Sequence, residues 1–137
     1  MDCLFCRIVD GEEPAYVVEE TADTVSFLDT RPVFKGHVLI VPKRHLETLA
    51  DLPAELVSRV FTAAQRHAVA MTTALDADGS FVAMNNVVSQ SVPHLHVHVV
   101  PRRRKDGLRG FFWPRTTYAP GEADEYADRL RACLVRD

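Results

Sequence analysis

The segment His94-Leu95-His96-Val97-His98-Val99-Val100 sets an imidazole at every second position. On an extended strand, residues two apart face the same side, so the three rings line one surface while Leu95, Val97 and Val99 line the other. The apolar side reads as core. The imidazole side has no packing rationale, because Thr or Val fills a strand face better than His. Successive rings on such a face stand about 6.6 Å apart, close enough for neighbours to share one phosphate-sized anion. With an ordinary pKa of about 6.5, a neutral imidazole at pH 7 can act as nucleophile, proton carrier or metal ligand. The two end rings of a straight strand are about 13 Å apart, so no more than two of the three can bind one ion through bonds of about 2 Å. A solvated face that happens to be His-rich is the bland alternative.

A second group stands at the N-terminus, Cys3-Leu4-Phe5-Cys6. The chain has three cysteines, an odd count, and its N-terminal acids (Asp2, Asp10, Glu12, Glu13) do not form a basic secretory leader. A C-x-x-C pair in that setting points to metal or redox chemistry before a structural disulfide, and the expected compartment is the cytoplasm. Residues 101–119 carry six basic side chains (Arg102, Arg103, Arg104, Lys105, Arg109, Arg115) against Asp106 alone. That stretch reads either as a solvated loop or as a local positive field. Phe111-Phe112-Trp113-Pro114 follows, too apolar for a free loop.

Several elements must position these groups. Leu4–Val9 is expected as a short helix stopped by Gly11 and Pro14, and Ala15–Val18, Thr24–Leu28 and His37–Val41 as strands. Leu56, Val60, Ala64, Met71 and Leu75 recur at helical spacing after Asp51, a plausible N-cap followed by Pro53 and Glu55, so one long helix spans about Asp51 to Leu75. Phe81–Asn85 and His94–Val100 read as further strands. Tyr126, Leu130 and Leu134 predict a terminal helix over Ala123–Val135. Five strands with short connections and one helix-length crossover give an α+β fold with a mainly antiparallel sheet.

With 137 residues, 47% of them hydrophobic and 26% charged, the chain is expected as one domain, residues 1–137. The figures exclude disorder, a collagen-like repeat and a disulfide scaffold. A net charge of −3 gives no reason to expect nucleic acid or an anionic membrane as the main partner, and no apolar run approaches a membrane span.

The motif His94 to Val100 resembles the signature of the histidine triad (HIT) nucleotide-binding hydrolases. Cys3 to Val9, Phe27-Leu28-Asp29, Gly36 to His45 and Asn85-Asn86 resemble further family segments in family order, so the likeness covers residues 2–101, with 102–137 as a C-terminal extension. It implies a homodimer whose five-stranded antiparallel sheet carries a nucleotide over the His-bearing strand. It also implies attack on the α-phosphorus by His96, a covalent nucleotidyl-histidine released by water, and a His96 tautomer set by main chain near His94. His98 would hydrogen-bond the phosphate oxygens. A transferase branch resembles His-x-His-x-Gln, so a third histidine favours hydrolysis.

By the same resemblance, Asp29 is the ribose carboxylate or else only starts a turn before Arg31-Pro32. Leu4, Phe5, Ile8 and Phe27 form the base slot or plain core. His37 sits behind the triad or is a core histidine. Asn85 and Ser91 contact the scissile phosphate and leaving group. Family members often have a glycine-rich bend before the triad. Here it is Asn86-Val87-Val88-Ser89-Gln90-Ser91, in which Ser89, Gln90 and Ser91 remain as donors. Cys3, Cys6, His45 and His94 resemble a zinc set used by some bacterial members, which would make the metal structural; a reduced dithiol is the alternative. No organic cofactor is expected. The competing functions are an interaction protein with vestigial turnover and a zinc-dependent hydrolase.

Overall fold

In the computed structural model, which describes residues 2–109 and 114–134, the β-branched runs become five strands. They are β1 (Val17–Glu20), β2 (Thr24–Leu28), β3 (Val38–Pro42), β4 (Gly79–Ala83) and β5 (Val97–Arg102), arranged in the order β1-β2-β3-β5-β4. Every neighbouring pair is antiparallel. Strands β3 and β4 both oppose β5 and so run parallel to each other, which is why a helix-length crossover, α2 (Ala54–Ala74), connects them. A short helix α1 (Leu4–Val9) precedes the sheet and α3 (Glu122–Cys133) follows it, so the fold class is α+β as the sequence predicts.

The period-two alternation of β3 divides the core into two layers. Val38 and Ile40 join Leu95, Val97 and Val99 in packing against Leu56, Val60, Ala63, Ala64 and Met71 of α2. Leu39 and Val41 point the other way, to Cys3, Phe5, Val25 and Phe27 under α1. The histidine-bearing side of β5 belongs to this second layer, since His98 pairs with Leu39 across the ladder. His67, without a role in the sequence reading, ties the first layer together. Its Nδ1 donates to the Ala63 carbonyl at 2.7 Å, and its Nε2 meets the buried Ser26 hydroxyl of β2 at 2.7 Å.

Several boundaries differ from expectation. Asp51 does not cap α2. Its carboxylate accepts from the Thr48 amide at 3.0 Å and from the Thr48 hydroxyl at 2.8 Å, closing a 3-10 turn (Leu49–Asp51). Helix α2 then starts after Pro53, which lacks an N–H to lose. Strand β4 lies two residues early because Gly79 already pairs with Arg102. Strand β5 starts at Val97 rather than His94. The Leu95 amide donates at 2.7 Å to the Leu46 carbonyl, outside the ladder, and the His94 amide donates to Val92. The first two triad histidines therefore sit on an extended lead-in, and only His98 is a strand residue.

The chain divides into two compact units, Met1–Asp106 and Gly107–Asp137. The turn that closes the first is fastened by Arg102 Nε donating to Asp106 at 2.6 Å and the Arg104 amide donating to Asp78 at 2.9 Å. In the second unit, α3 carries Glu122, Asp124 and Glu125 in its first turn, where carboxylates suit the helix dipole. The Tyr118 and Tyr126 rings stand 5.9 Å apart there. Val135 and the Phe111-Phe112-Trp113 run lie outside the described residues.

Gly36 turns the chain toward β3 with φ +99°, and a Cβ on it would stand 2.5 Å from Leu75 Cδ1. Gly36→Ala is expected to lower unfolding stability by about 1–3 kcal/mol. Urea denaturation checks this as a lower midpoint at unchanged slope.

Candidate active site

Three imidazoles at alternate positions meet three different environments. His94 is fully buried, His96 is 4% exposed and His98 is half-buried. His96 Nδ1 donates to the His94 main-chain carbonyl at 2.9 Å. A carbonyl can only accept, so the proton sits on Nδ1 and Nε2 keeps its lone pair. The His94 ring is oriented the same way by a different group. Its Nε2 donates to the Pro42 carbonyl at 2.8 Å, which leaves the Nδ1 lone pair facing the N-terminal cysteines.

His98 receives its tautomer through a relay. The Val33 amide donates to His37 Nδ1 at 3.1 Å, so His37 carries its proton on Nε2. That Nε2 donates to His98 Nδ1 at 2.9 Å, which puts the His98 proton on its own Nε2. His96 thus presents a bare nitrogen and His98 a donor, on rings whose centroids are 5.1 Å apart. Asp29 Oδ2 lies 3.6 Å from His37 Nε2, so Asp29, His37 and His98 form a cluster that could in principle hold a cation. The Val33 amide argues otherwise. A metal on His37 Nε2 would require a proton on Nδ1, where a donor already points.

Burial disfavours the charged form of His37, His94 and His98. It lowers His37 and His94 from the ordinary range, with Asp29 opposing the shift at His37 and the Pro42 carbonyl opposing it at His94. His98 is pushed down to about 4, chiefly by burial and further by His96 and His37, against the pull of Asp29.

His96 and His98 form one wall of a cavity of about 410 Å³. Leu4, Phe5, Ile8 and Phe27 form its apolar side, and Asp29 and Ser91 its polar rim. Asp29 is a turn residue that also lines the cavity. Its Oδ1 accepts the Arg31 amide at 2.9 Å as a turn residue, and the side chain still faces the cavity. His37 stands behind the wall. Asn85 and Gln90 are not part of it. Asn85 Nδ2 donates to the Ser89 carbonyl at 3.2 Å. Gln90 accepts from the Val87 amide at 2.9 Å and donates to the Glu47 carbonyl at 2.6 Å. These bonds hold the loop in the shape that glycines would otherwise supply, because Val87 (φ 68°) and Ser89 (φ 61°) both occupy the left-handed region. For a β-branched residue that conformation is strained by about 1–3 kcal/mol.

Cys3, Cys6, His45 and His94 converge on the far side of α1, their donor atoms all within 4.8 Å of one another. His94 Nδ1 is 3.4 Å from Cys3 Sγ, 3.5 Å from Cys6 Sγ and 3.2 Å from His45 Nδ1, and Cys6 Sγ is 3.2 Å from His45 Nδ1. A tetrahedral zinc with bonds of about 2.3 Å to sulfur and about 2.05 Å to nitrogen separates S and N by about 3.6 Å and two nitrogens by about 3.3 Å. The residues therefore fit the ion. Four donors fill a tetrahedron and leave no open position, which suits a structural rather than a catalytic metal. Burial, with the hydrogen bond and charge of Cys3, pushes the Cys6 thiol up to about 11, and a bound cation acts in the opposite sense. His45 Nε2 is buried with no hydrogen-bond partner among the described residues, so that ring is oriented through Nδ1, toward Cys6 and His94, and by packing.

An antiparallel sheet crossed by one long helix, with a central imidazole held between a main-chain carbonyl and a second imidazole, is the arrangement of a histidine triad protein. The HIT domain model matches residues 10–105, and the chain belongs to that family. It is 32% identical over 132 residues to adenosine 5'-monophosphoramidase hnt1 of Schizosaccharomyces pombe, covering 95% of this chain and 96% of that one. Its fold matches the crystal structure of a HIT family member from Bacillus subtilis with a TM-score of 0.89, at 32% identity and with 100% of each chain covered. It also matches a Zn-bound histidine triad protein from Mycobacterium smegmatis, with a TM-score of 0.76, 38% identity, and 96% and 92% of the two chains covered.

Sequence reasoning did not find Leu39, Val92, Thr30 and Glu13 in the cavity wall, or the Val33 amide that starts the relay. The alternation of β3 could have indicated Leu39, but main-chain donors leave no mark in residue type.

Two outcomes follow from the relay. Between pH 6.5 and about 4 the unfolded chain binds protons that the folded His98 refuses, so stability should be flat above pH 7 and fall as pH drops through that window. Urea midpoints measured from pH 8 to pH 4.5 check the slope. His37→Ala should lower kcat about 10–100-fold with little change in KM, and His37→Gln, whose amide can still donate to His98 Nδ1, should recover part of it. Steady-state kinetics on the two variants separate positioning from binding.

Proposed function

We propose that the protein hydrolyses nucleotide conjugates at the α-phosphate, with a nucleoside phosphoramidate as the best candidate substrate. The observation that carries this reading is the His96–His94 hydrogen bond. It leaves an unprotonated Nε2 in a cavity with an apolar slot on one side and a carboxylate, Asp29, on another. The slot takes the base, through Leu4, Phe5, Ile8 and Phe27, and the Asp29 carboxylate accepts from ribose hydroxyls. The naming of the fission-yeast relative as an adenosine 5'-monophosphoramidase supports the same chemistry.

In the first step, His96 Nε2 bonds to phosphorus as the bond to the leaving group breaks. The electron pair departs with that group, which takes up a proton from solvent. The ring becomes cationic, and the His94 carbonyl, accepting its Nδ1–H, stabilises the charge that attack creates. His98 Nε2–H donates to the phosphate oxygens, and Ser91 stands at the leaving-group side. In the second step, water bonds to phosphorus and gives up a proton to solvent, the P–Nε2 bond breaks and the neutral imidazole returns. One difficult displacement becomes two easier ones.

Cys3, Cys6, His45 and His94 would hold one zinc ion, which fastens α1 to the sheet. A second copy of the chain is the proposed partner. Among the described residues the sheet ends at β4, and Val82 there and Val69 on α2 are exposed. Among the described residues no helix is long and apolar enough to cross a membrane. The free cysteines suit a reducing compartment, and we assign the protein to the cytoplasm on that ground.

Incubation with adenosine 5'-phosphoramidate should release AMP and ammonia, and rapid acid-free quenching should trap an AMP adduct visible by intact-protein mass spectrometry. His96→Ala should abolish the adduct and lower kcat at least about 1000-fold. An adduct that persists in that variant, or no release from the wild type, overturns the reading. Binding of AMP without turnover would instead favour the interaction-protein alternative.

A further inference from the structure

We infer that the Cys3/Cys6/His45/His94 metal centre positions the base wall of the nucleotide cavity, so that zinc and nucleotide bind with positive coupling; this rests on the reading of that cavity as a nucleotide site. The two sites share one helix. Cys3, the N-cap of α1, and Cys6, within it, supply the thiols. Leu4, Phe5 and Ile8 of the same turn and a half line the cavity. Six residues make a helix far too short to hold its own conformation in water, so α1 takes its place from its attachments.

Besides the packing of Phe5, Cys6, Ile8 and Val9 in the second core, those attachments fall on the two sites. Phe5, 5% exposed, sets its ring 5.5 Å from Phe27, 5.9 Å from His94 and 5.1 Å from His96, at steep interplanar angles in each case. Among the described residues, the imidazoles that the cysteine sulfurs approach are His94 and His45, which belong to the sheet side of the molecule. An ion bonded to both thiols and both imidazoles therefore joins α1 to the sheet by four strong bonds. Without it, α1 is held by the Phe5 ring and its neighbours in the small second core. A nucleotide base seated on Leu4, Phe5 and Ile8 needs the helix in the same place that the ion does. Whichever binds first has already met the cost of ordering the helix for the other. His94 adds a second connection, because the residue that offers Nδ1 to the ion also offers its carbonyl to His96.

Coupling of this kind is reciprocal and typically amounts to about 5–150-fold in affinity. The test uses the zinc-loaded wild type and AMP. Competition with a chromogenic chelator gives the zinc affinity with and without saturating AMP. Calorimetry gives the AMP affinity of the loaded protein and of protein stripped by the same chelator, with circular dichroism recorded on both. The expected result is zinc bound about tenfold more tightly in the presence of AMP, and AMP bound more weakly by the same factor after stripping. If loaded wild type binds AMP but its zinc affinity stays within about twofold whether or not AMP is present, the inference is wrong and the nucleotide reading stands. If the loaded protein binds no AMP, both fall. The chelator arm needs no variant and no stable metal-free fold.

Discussion

One hydrogen bond, from His96 Nδ1 to the His94 carbonyl, fixes the character of the whole site. It determines which nitrogen of the central ring is bare, orients that nitrogen and supplies the acceptor that a cationic ring requires. The acceptor can serve only because His94 is immobile, and His94 is immobile because its own ring is tied to the Pro42 carbonyl and turned into the cysteine cluster. The end of β3 and the N-terminal turn thus specify the geometry of a ring, His96, to which neither belongs. The relay through His37 does the same for His98 from the opposite side, starting at the Val33 amide. Two neighbouring rings of the same chemical type acquire opposite tautomers, one directly from a main-chain carbonyl and the other from a main-chain amide acting through the His37 ring.

The sheet makes this possible by keeping the two sides of β3 and β5 apart. Alternation places Val38, Ile40, Val97 and Val99 under α2, and Leu39 and His98 on the other side. The larger core stabilises the sheet without approaching the chemistry. The smaller core under α1 is also the inner wall of the cavity. A polar network buried within the larger layer, Ser26–His67–Ala63, locks α2 to β2 and shows that not every buried histidine in this chain serves catalysis.

Much of this was legible in residue order. The period-two pattern of the triad segment, the helical spacing from Leu56 to Leu75 and the C-x-x-C pair led to the correct fold class and to the groups that converge. What stayed hidden has a common physical origin, which is that main-chain amides and carbonyls look alike in every residue. The Leu46 carbonyl draws the Leu95 amide away from the ladder, so the triad straddles a strand start instead of lying on a strand. That turns His94 into the cysteine cluster rather than toward a shared anion. Gln90 and Asn85 have the side chains of phosphate ligands, yet they bond to carbonyls and an amide of the loops at Glu47, Val87 and Ser89. The missing glycines suggested an altered loop, but the positive φ values at Val87 and Ser89 show the bend kept at a cost in strain. Asp51 failed as a helix cap because Thr48 was nearer.

The layered core has a practical corollary for engineering. Substitutions that improve packing or surface charge along α2 act on a layer separated from His96 by the full thickness of the sheet, so thermal robustness can be raised there with turnover left intact. The α1 layer offers no such freedom, because any side chain chosen there for tighter packing also redraws the recess in which a substrate would sit.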